Sequence, residues 1–137
     1  MSTADARDWK LDLVPLGIAF AASCVLVLDR LGVFAAPGCD ADSACAEIMH
    51  GDASLLPGLG WPSALAGVAW FAGWMAYVTA YRGQWTRGSR ALAVLGVLAS
   101  LACLMIMLAS ETLCLWFAAV HLANLGWWWL ARRRPLA

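Results

Sequence analysis

Cysteine is the residue type in this sequence best suited to chemistry, and five cysteines are spread over 137 residues. Cys39 and Cys45, separated by five residues, stand between two apolar segments, and Cys114 begins another. In an oxidising compartment such thiols form and exchange disulfides. Cys24 and Cys103 lie deeper in apolar segments, where cysteines commonly act as small apolar side chains. We therefore predict a thiol-disulfide site at Cys39, Cys45 and Cys114, provided that one face of the protein holds all three.

A metal site is an alternative interpretation of the same region. Cys39, Cys45 and His50, with Asp40 or Asp42, offer ligands that a soft metal ion could use. A compact Cys-x-x-Cys pair is missing from this set. The pattern is therefore a weaker signal for a metal than for disulfide exchange.

The composition indicates that the chemistry takes place at a membrane. Apolar residues make up 63% of the chain and charged residues 13%, and the mean hydropathy is +0.72. These values lie outside the usual range of soluble domains. The formal net charge is zero, so the chain has no global basic field for nucleic acid. We expect an integral membrane protein of one domain, residues 1–137, that does not bind nucleic acid.

Four apolar stretches are long enough to cross about 30 Å of hydrocarbon. They cover residues 11–35, 61–81, 91–110 and 113–131. Backbone in contact with lipid must satisfy its own hydrogen bonds, so the sequence predicts an all-α bundle of four transmembrane helices. Several small residues would let these helices approach closely, namely Gly67, Gly73, Gly96, Ala99 and Ala102.

The first apolar stretch could instead be a cleaved signal sequence, because Val33, Ala35 and Pro37 loosely resemble a processing site. Its apolar run is longer than the usual signal segment, and acidic residues are mixed with the basic ones before it. We expect it to be retained as a helix.

The cationic residues predict the orientation of the bundle. Eight of the nine lie before the first stretch, in the loop 82–90 or after the fourth stretch, namely Arg7, Lys10, Arg82, Arg87, Arg90, Arg132, Arg133 and Arg134. With four spans, all three groups face the same side, which the positive-inside rule assigns to the cytoplasm. Arg30 and most acidic residues then lie outside. We expect a bacterial inner membrane, both termini in the cytoplasm, and tryptophans such as Trp61, Trp85 and Trp127 at the two interfaces.

The loops indicate which face carries function. The turn between the third and fourth stretches, around Glu111 and Thr112, is too short for a site. The outer loop 36–60 has about 25 residues, and loops of this length are usually functional or disordered. Within it, residues 43–56 mix apolar and charged side chains as a helix on the membrane surface would. Cys39, Cys45 and Cys114 are all expected on this outer side.

These features together resemble the vitamin K epoxide reductase family of quinone-linked thiol oxidoreductases. One similar stretch opens the second span with Gly60, Trp61, Pro62, Ser63, Ala64 and Gly67. Another opens the fourth span with Leu113, Cys114, Leu115 and Trp116, followed by Asn124. The resemblance extends over most of the chain and includes the order, the spacing and the sidedness of these elements.

The resemblance implies a path for electrons. Loop cysteines Cys39 and Cys45 would take electrons from a separate thioredoxin-like thiol protein on the outer side and pass them through Cys114 to a quinone. The quinone would be of the menaquinone, ubiquinone or phylloquinone class. Its pocket is implied at Ser63, Phe117, His121 and Asn124. The family's second motif cysteine is replaced here by Phe117, which has no thiol.

Three functions therefore compete. The first is a membrane thiol-disulfide oxidoreductase that uses Cys39, Cys45 and Cys114 with an altered quinone step. The second is a non-catalytic membrane protein of the same fold that binds a quinone or a protein partner. The third is a metal-binding membrane protein. Activity with a dithiol donor would separate the first from the second, and metal analysis would test the third.

Overall fold

The computed structural model describes residues 3–39, 43, 45–46, 50–51, 62–134 and 136, and of residues 3–8 it describes the backbone only. The predicted surface helix over 43–56 falls mostly outside the described residues. So do Trp61 and four acidic residues of the outer loop, namely Asp40, Asp42, Glu47 and Asp52.

Four α-helices form the described part of the chain, in which no strand occurs. They are α1 (Thr3–Arg30), α2 (Ser63–Ala80), α3 (Arg87–Ala109) and α4 (Leu115–Ala131). Three segments are long and apolar enough to cross a membrane, namely Trp9–Arg30, Ser63–Ala80 and Arg87–Ala109. Helix α4 has 17 residues, which correspond to about 25 Å of helical rise. The all-helical prediction is confirmed for the described residues.

Helix α1 begins and ends earlier than the predicted range of 11–35. Its end has a clear cause: Val33 N–H donates to Leu28 O, and Gly32 N–H donates to Asp29 O. This pair of bonds is the Schellman arrangement, which requires a left-handed residue after the helix. Gly32 has a φ of +69° and meets that requirement. The chain therefore leaves the helix before Ala35 and enters the outer loop.

Helix α1 packs between α2 and α4, and α3 packs against α4. Two of the predicted small residues allow close approach. A Cβ atom placed on Gly67 would lie 2.9 Å from Ser23 Oγ of α1, and one on Gly96 would lie 2.6 Å from the Trp70 ring of α2. Gly73 has no neighbour within 4 Å of such an atom among the described residues. Helix packing therefore depends on Gly67 and Gly96 and not on Gly73.

The outward faces of the helices are apolar. Many leucine, isoleucine and methionine side chains of α3 are exposed, namely Leu92, Leu95, Leu98, Leu101, Met105, Ile106 and Leu108. So many exposed apolar side chains on one helix would be unfavourable in water, but they are favourable in contact with lipid tails. The exposed faces and the three long apolar helices indicate a membrane protein.

One end of the bundle gathers the loop 82–90, the chain after α4 and the start of α1. Arg134 forms an ion pair with the fully buried Asp12 at 3.0 Å, and Arg90 Nη2 donates a hydrogen bond to Arg134 O at 2.6 Å. Trp85 and Trp127, predicted to lie near a membrane interface, are at this end of the bundle and are each 1% exposed. Their rings pack with Trp74, at centroid distances of 5.6 Å and 4.7 Å from it, and fill the interior of this end.

Candidate thiol site and adjoining cavity

Three cysteine sulfurs meet at the other end of the bundle. Cys39 and Cys45 are joined by a disulfide, with their Cα atoms 5.0 Å apart. Cys114 is a free thiol with no exposed surface, and its Sγ lies 2.7 Å from Cys45 Sγ. All three Sγ atoms are within 4.8 Å of one another. The structure therefore brings together the three residues predicted to form the thiol site.

The start of the outer loop is held by two side chains. Asp29, near the end of α1, accepts a hydrogen bond from Ala36 N–H at 2.8 Å. Trp116, in the first turn of α4, donates from its Nε1 to Pro37 O at 3.0 Å. Two residues after Pro37, Cys39 donates its own N–H to Ala36 O. Asp29 and Trp116 therefore position the disulfide over the beginning of α4.

Cys114 lies immediately before α4, outside the three membrane-crossing segments. Burial raises the pKa of its thiol, and the negative charge of Asp29 acts in the same direction. Hydrogen bonding to the backbone at Phe117 and Trp116 opposes this rise in pKa without cancelling it. The attacking form of a cysteine is the thiolate. The raised pKa favours the thiol form of Cys114 beside the disulfide, and any exchange begins with its deprotonation.

The predicted metal ligands do not form one set among the described residues. His50 Nε2 lies 3.5 Å from Asp29 Oδ2 and pairs with that carboxylate. The closest group of potential ligands is Cys39, Cys45 and Cys114, but two of these sulfurs are bonded to each other. Asp40 and Asp42 lie outside the described residues. In the disulfide form, this cluster offers a single thiol to a metal ion.

A cavity of about 430 Å³ lies between the helices below the thiol site. Its walls come from all four helices and are mostly apolar, with Leu26, Trp70, Phe71, Leu95 and Val120 among them. The four residues predicted to contact a quinone all line it, namely Ser63, Phe117, His121 and Asn124. Its volume falls within the range of roughly 300–1,000 Å³ that is typical of small-molecule pockets.

Polar groups are concentrated on one wall of this cavity, where α3 and α4 face each other. His121 Nδ1 lies 3.1 Å from Ser100 Oγ. Asn124 Nδ2 lies 2.9 Å from Ser100 Oγ and 3.1 Å from Gly96 O. Among the described residues, the buried atoms His121 Nε2 and Asn124 Oδ1 have no hydrogen-bond partner. A mostly apolar cavity with a few polar side chains in its wall is typical of small-molecule sites.

Phe117 separates the two parts of the site. Its side chain packs against the buried core that contains Cys114 and also lines the cavity. Its ring meets the edge of the His121 ring, with the centroids 4.7 Å apart. Cys114 is absent from the described residues that line the cavity. A thiol at position 117 would therefore lie at the cavity wall, whereas the Cys114 thiol does not.

Sequence reasoning did not identify Ser100 or Cys103 as part of this region. Ser100 is 3% exposed and connects His121 with Asn124, and Cys103 lines the cavity one turn further along α3. A signal was present in the spacing of Gly96, Ser100 and Cys103, which places them on one face of a helix. Which face of α3 meets α4 depends on how the two helices are rotated and aligned against each other. This arrangement cannot be read from the sequence.

Comparison with known proteins gives no match: no protein-family model matches the sequence, and no curated protein or solved structure is significantly similar to the chain.

Proposed function

We propose that this chain is a membrane thiol-disulfide oxidoreductase of the vitamin K epoxide reductase type, which passes electrons from outer-side thiols to a quinone. The observation that carries this proposal is the 2.7 Å separation between the free sulfur of Cys114 and Cys45 Sγ of the Cys39–Cys45 disulfide. Exchange needs an attacking thiolate in contact with a disulfide sulfur. The adjoining apolar cavity, which His121 and Asn124 line, supports a quinone as the electron acceptor.

The exchange step involves three sulfurs. The Cys114 thiolate attacks Cys45 Sγ, the bond between Cys39 and Cys45 breaks, and Cys39 leaves as a thiolate. The proton of Cys114 passes to Cys39 or to solvent. The product is a Cys45–Cys114 disulfide, and attack by Cys39 on Cys45 reverses the step. No electrons enter or leave the protein during this exchange.

A complete cycle needs a donor outside the protein and an acceptor inside the membrane. A thioredoxin-like protein on the outer side supplies two thiols, becomes a disulfide, and leaves Cys39 and Cys45 reduced. A bound quinone supplies an acceptor for two electrons and two protons. Cys45 and Cys114 give up these electrons and protons and become a disulfide. Cys39 then attacks Cys45, which restores the Cys39–Cys45 disulfide and the free Cys114 thiol.

In this cycle Cys114 takes the role that the quinone-facing thiol has in the related family, and Cys45 is its disulfide partner. Phe117 lines the cavity and Cys114 does not, so electron transfer to the quinone requires the Phe117 ring to move aside.

The proposal includes four membrane spans, with α4 as the fourth. The disulfide lies on the outer side of a bacterial inner membrane, and both termini lie in the cytoplasm. The meeting of Arg90 and Arg134 at the end opposite the disulfide supports this orientation.

A second candidate is a non-catalytic protein that binds a quinone or a protein partner. It is favoured by the position of Phe117, whose ring lines the cavity where the family resemblance expects a thiol. In that case Cys114 would contact the disulfide without exchanging with it.

Trapping the exchange product separates these two candidates. In the variant Cys39→Ser the leaving thiol is absent, so an exchange-competent Cys114 should form a stable disulfide with Cys45 in oxidised membranes. Mass mapping after thiol blocking should find this linkage. The matched control Cys24→Ser should retain the Cys39–Cys45 disulfide. Recovery of Cys45 and Cys114 as two blocked thiols in Cys39→Ser would exclude the oxidoreductase and leave the binding protein.

A further inference from the structure

The orientation of the Asn124 amide follows from its neighbours. Its nitrogen lies 3.1 Å from Gly96 O, and a carbonyl oxygen can only accept a hydrogen bond. The NH₂ group must therefore face Gly96, since an oxygen in its place would oppose another oxygen. The second N–H of the amide donates to Ser100 Oγ at 2.9 Å. Both donors of Asn124 are used, and its Oδ1 remains a buried acceptor without a donor in the part of the chain that the structure describes.

The same network favours one tautomer of His121. Among the described residues, the Ser100 hydroxyl has two hydrogen-bond partners, the Asn124 amide nitrogen and Nδ1 of His121. The amide nitrogen can only donate, so the hydroxyl proton finds an acceptor in this network only when Nδ1 accepts it. A neutral histidine that accepts at Nδ1 carries its proton at Nε2. In this tautomer, Nε2–H of His121 is a buried donor without an acceptor among the described residues.

The polar wall of the cavity consequently offers one donor, Nε2–H of His121, and one acceptor, Oδ1 of Asn124. Neither atom is exposed to solvent. Both residues line the cavity and the Phe117 ring lies against the His121 ring, so a ligand that contacts these two atoms must displace the side chains that cover them. The ligand that satisfies both atoms must carry an oxygen that accepts and a hydroxyl that donates.

We propose that the cavity binds the quinol form of its ligand in preference to the quinone form, and that Ser100 is the positioning residue that sets this preference. This inference rests on the proposed quinone site and specifies which redox form fits it best. Quinone oxygens are carbonyls and can only accept, so a bound quinone satisfies His121 and leaves Asn124 Oδ1 without a donor. Quinol hydroxyls both accept and donate, and they can satisfy both residues.

The size of the preference follows from the cost of a buried acceptor without a partner. That cost corresponds to roughly a tenfold difference in affinity or more. Tighter binding of the quinol makes reduction of the bound quinone more favourable, which is the direction of electron flow in the proposed function. Release of the quinol is correspondingly slower.

Affinity measurements on the purified protein in detergent test this inference. The probes are 2,3-dimethyl-1,4-naphthoquinone, which has no free position on its quinone ring for thiol addition, and the corresponding quinol under anaerobic conditions. The wild-type protein should bind the quinol about ten times more tightly than the quinone. Asn124→Leu should lose most of this preference by weakening quinol binding while quinone binding changes little. The matched control is Ser110→Ala, which removes the hydroxyl of the residue that follows α3, outside the cavity, and should leave the preference unchanged.

The role of Ser100 has its own readout. Ring ¹⁵N NMR of His121 should show the Nε2–H tautomer in the wild type and in Ser100→Thr, which keeps a hydroxyl, but a tautomer mixture in Ser100→Ala. The chain has two histidines, so His50→Gln assigns the signal. An Nδ1–H tautomer in the wild type would overturn the role of Ser100.

Equal wild-type affinity for the two probes would overturn the preference while leaving the quinone site intact. Binding of neither probe would overturn the proposed quinone site itself.

Discussion

The ring of Phe117 lies edge-on against the ring of His121, with the two centroids 4.7 Å apart. Phe117 lines the cavity and Cys114 does not, so an unreactive side chain occupies the cavity wall next to His121. The position of this one residue therefore determines how directly thiol chemistry can reach the cavity.

The variant Phe117→Cys should restore a thiol that faces the cavity. In this antiparallel pair Ser100 faces His121 and Gly96 faces Asn124, so Cys103 is level with position 117 and would compete for the new thiol. The substitution is therefore made in a Cys103→Ser background. We expect Cys114 to pair with the new cysteine and dithiol-driven quinone reduction to increase. Mass mapping and quinol formation measure the two effects.

The control for this variant is Val120→Cys in the same background, one turn further along α4, which also lines the cavity. The thiol introduced at position 120 should form no disulfide with Cys114, because position 120 lies one helical turn further from Cys114 than position 117 does. If Phe117→Cys shows neither the new disulfide nor faster quinol formation, the non-catalytic candidate becomes the better explanation.

The proposed topology predicts which positions an impermeant maleimide can reach on intact cells. In a background without native cysteines, Thr112→Cys should be labelled, because the turn between α3 and α4 lies outside. Arg87→Cys and Arg133→Cys should be labelled only after the cells are opened. Labelling of Arg87→Cys from outside would reverse the orientation and place the disulfide on the reducing side of the membrane.

Alkylation of Cys114 should depend on pH in the manner of a buried thiol. The double variant Cys24→Ser, Cys103→Ser keeps the Cys39–Cys45 disulfide and leaves Cys114 as the free thiol to be measured. Burial raises its pKa in the folded protein, so the thiol form is favoured by folding and the alkylation midpoint shifts to higher pH. The rate of alkylation, measured against pH, should have a higher midpoint in the native protein than in the denatured protein. A native midpoint equal to or below the denatured one would show that Cys114 is not held as a buried thiol.

Close packing of α1 against α2 predicts different effects for two glycines of α2. Gly67→Val should lower the stability of the protein by roughly 1–3 kcal/mol, because its Cβ would lie 2.9 Å from the buried Ser23 Oγ. Gly73→Val is the matched control, since no described atom lies within 4 Å of its Cβ. Unfolding in detergent, followed by circular dichroism, measures both. Equal losses of stability would mean that Gly67 has no special role in packing.

The sequence was sufficient to predict helical segments and the residues that the structure brings together in each part of the site. Apolar run length determines the helices, and the order of the cysteines along those helices places three of them at one end. Details that depend on helix register were not predictable. Ser100 became important only because α3 and α4 meet in the register that places it between His121 and Asn124.

The same limit applies to two further features. The inward packing of Trp85 and Trp127 against Trp74 depends on contacts between elements, which residue type alone does not predict. The early end of α1 depends on Gly32 and on the contact between Asp29 and Ala36, which a pattern of apolar residues does not contain.

The most direct measurement is dithiol-driven reduction of a soluble quinone by the purified protein in detergent. If the three cysteines form one redox pathway, the wild-type protein should produce quinol well above the rate without protein. Cys45→Ser and Cys114→Ser should each reduce this rate to the background, while Cys24→Ser should retain it. Quinol formation by the wild type no faster than background, or an unchanged rate in Cys114→Ser, would contradict the proposed oxidoreductase function.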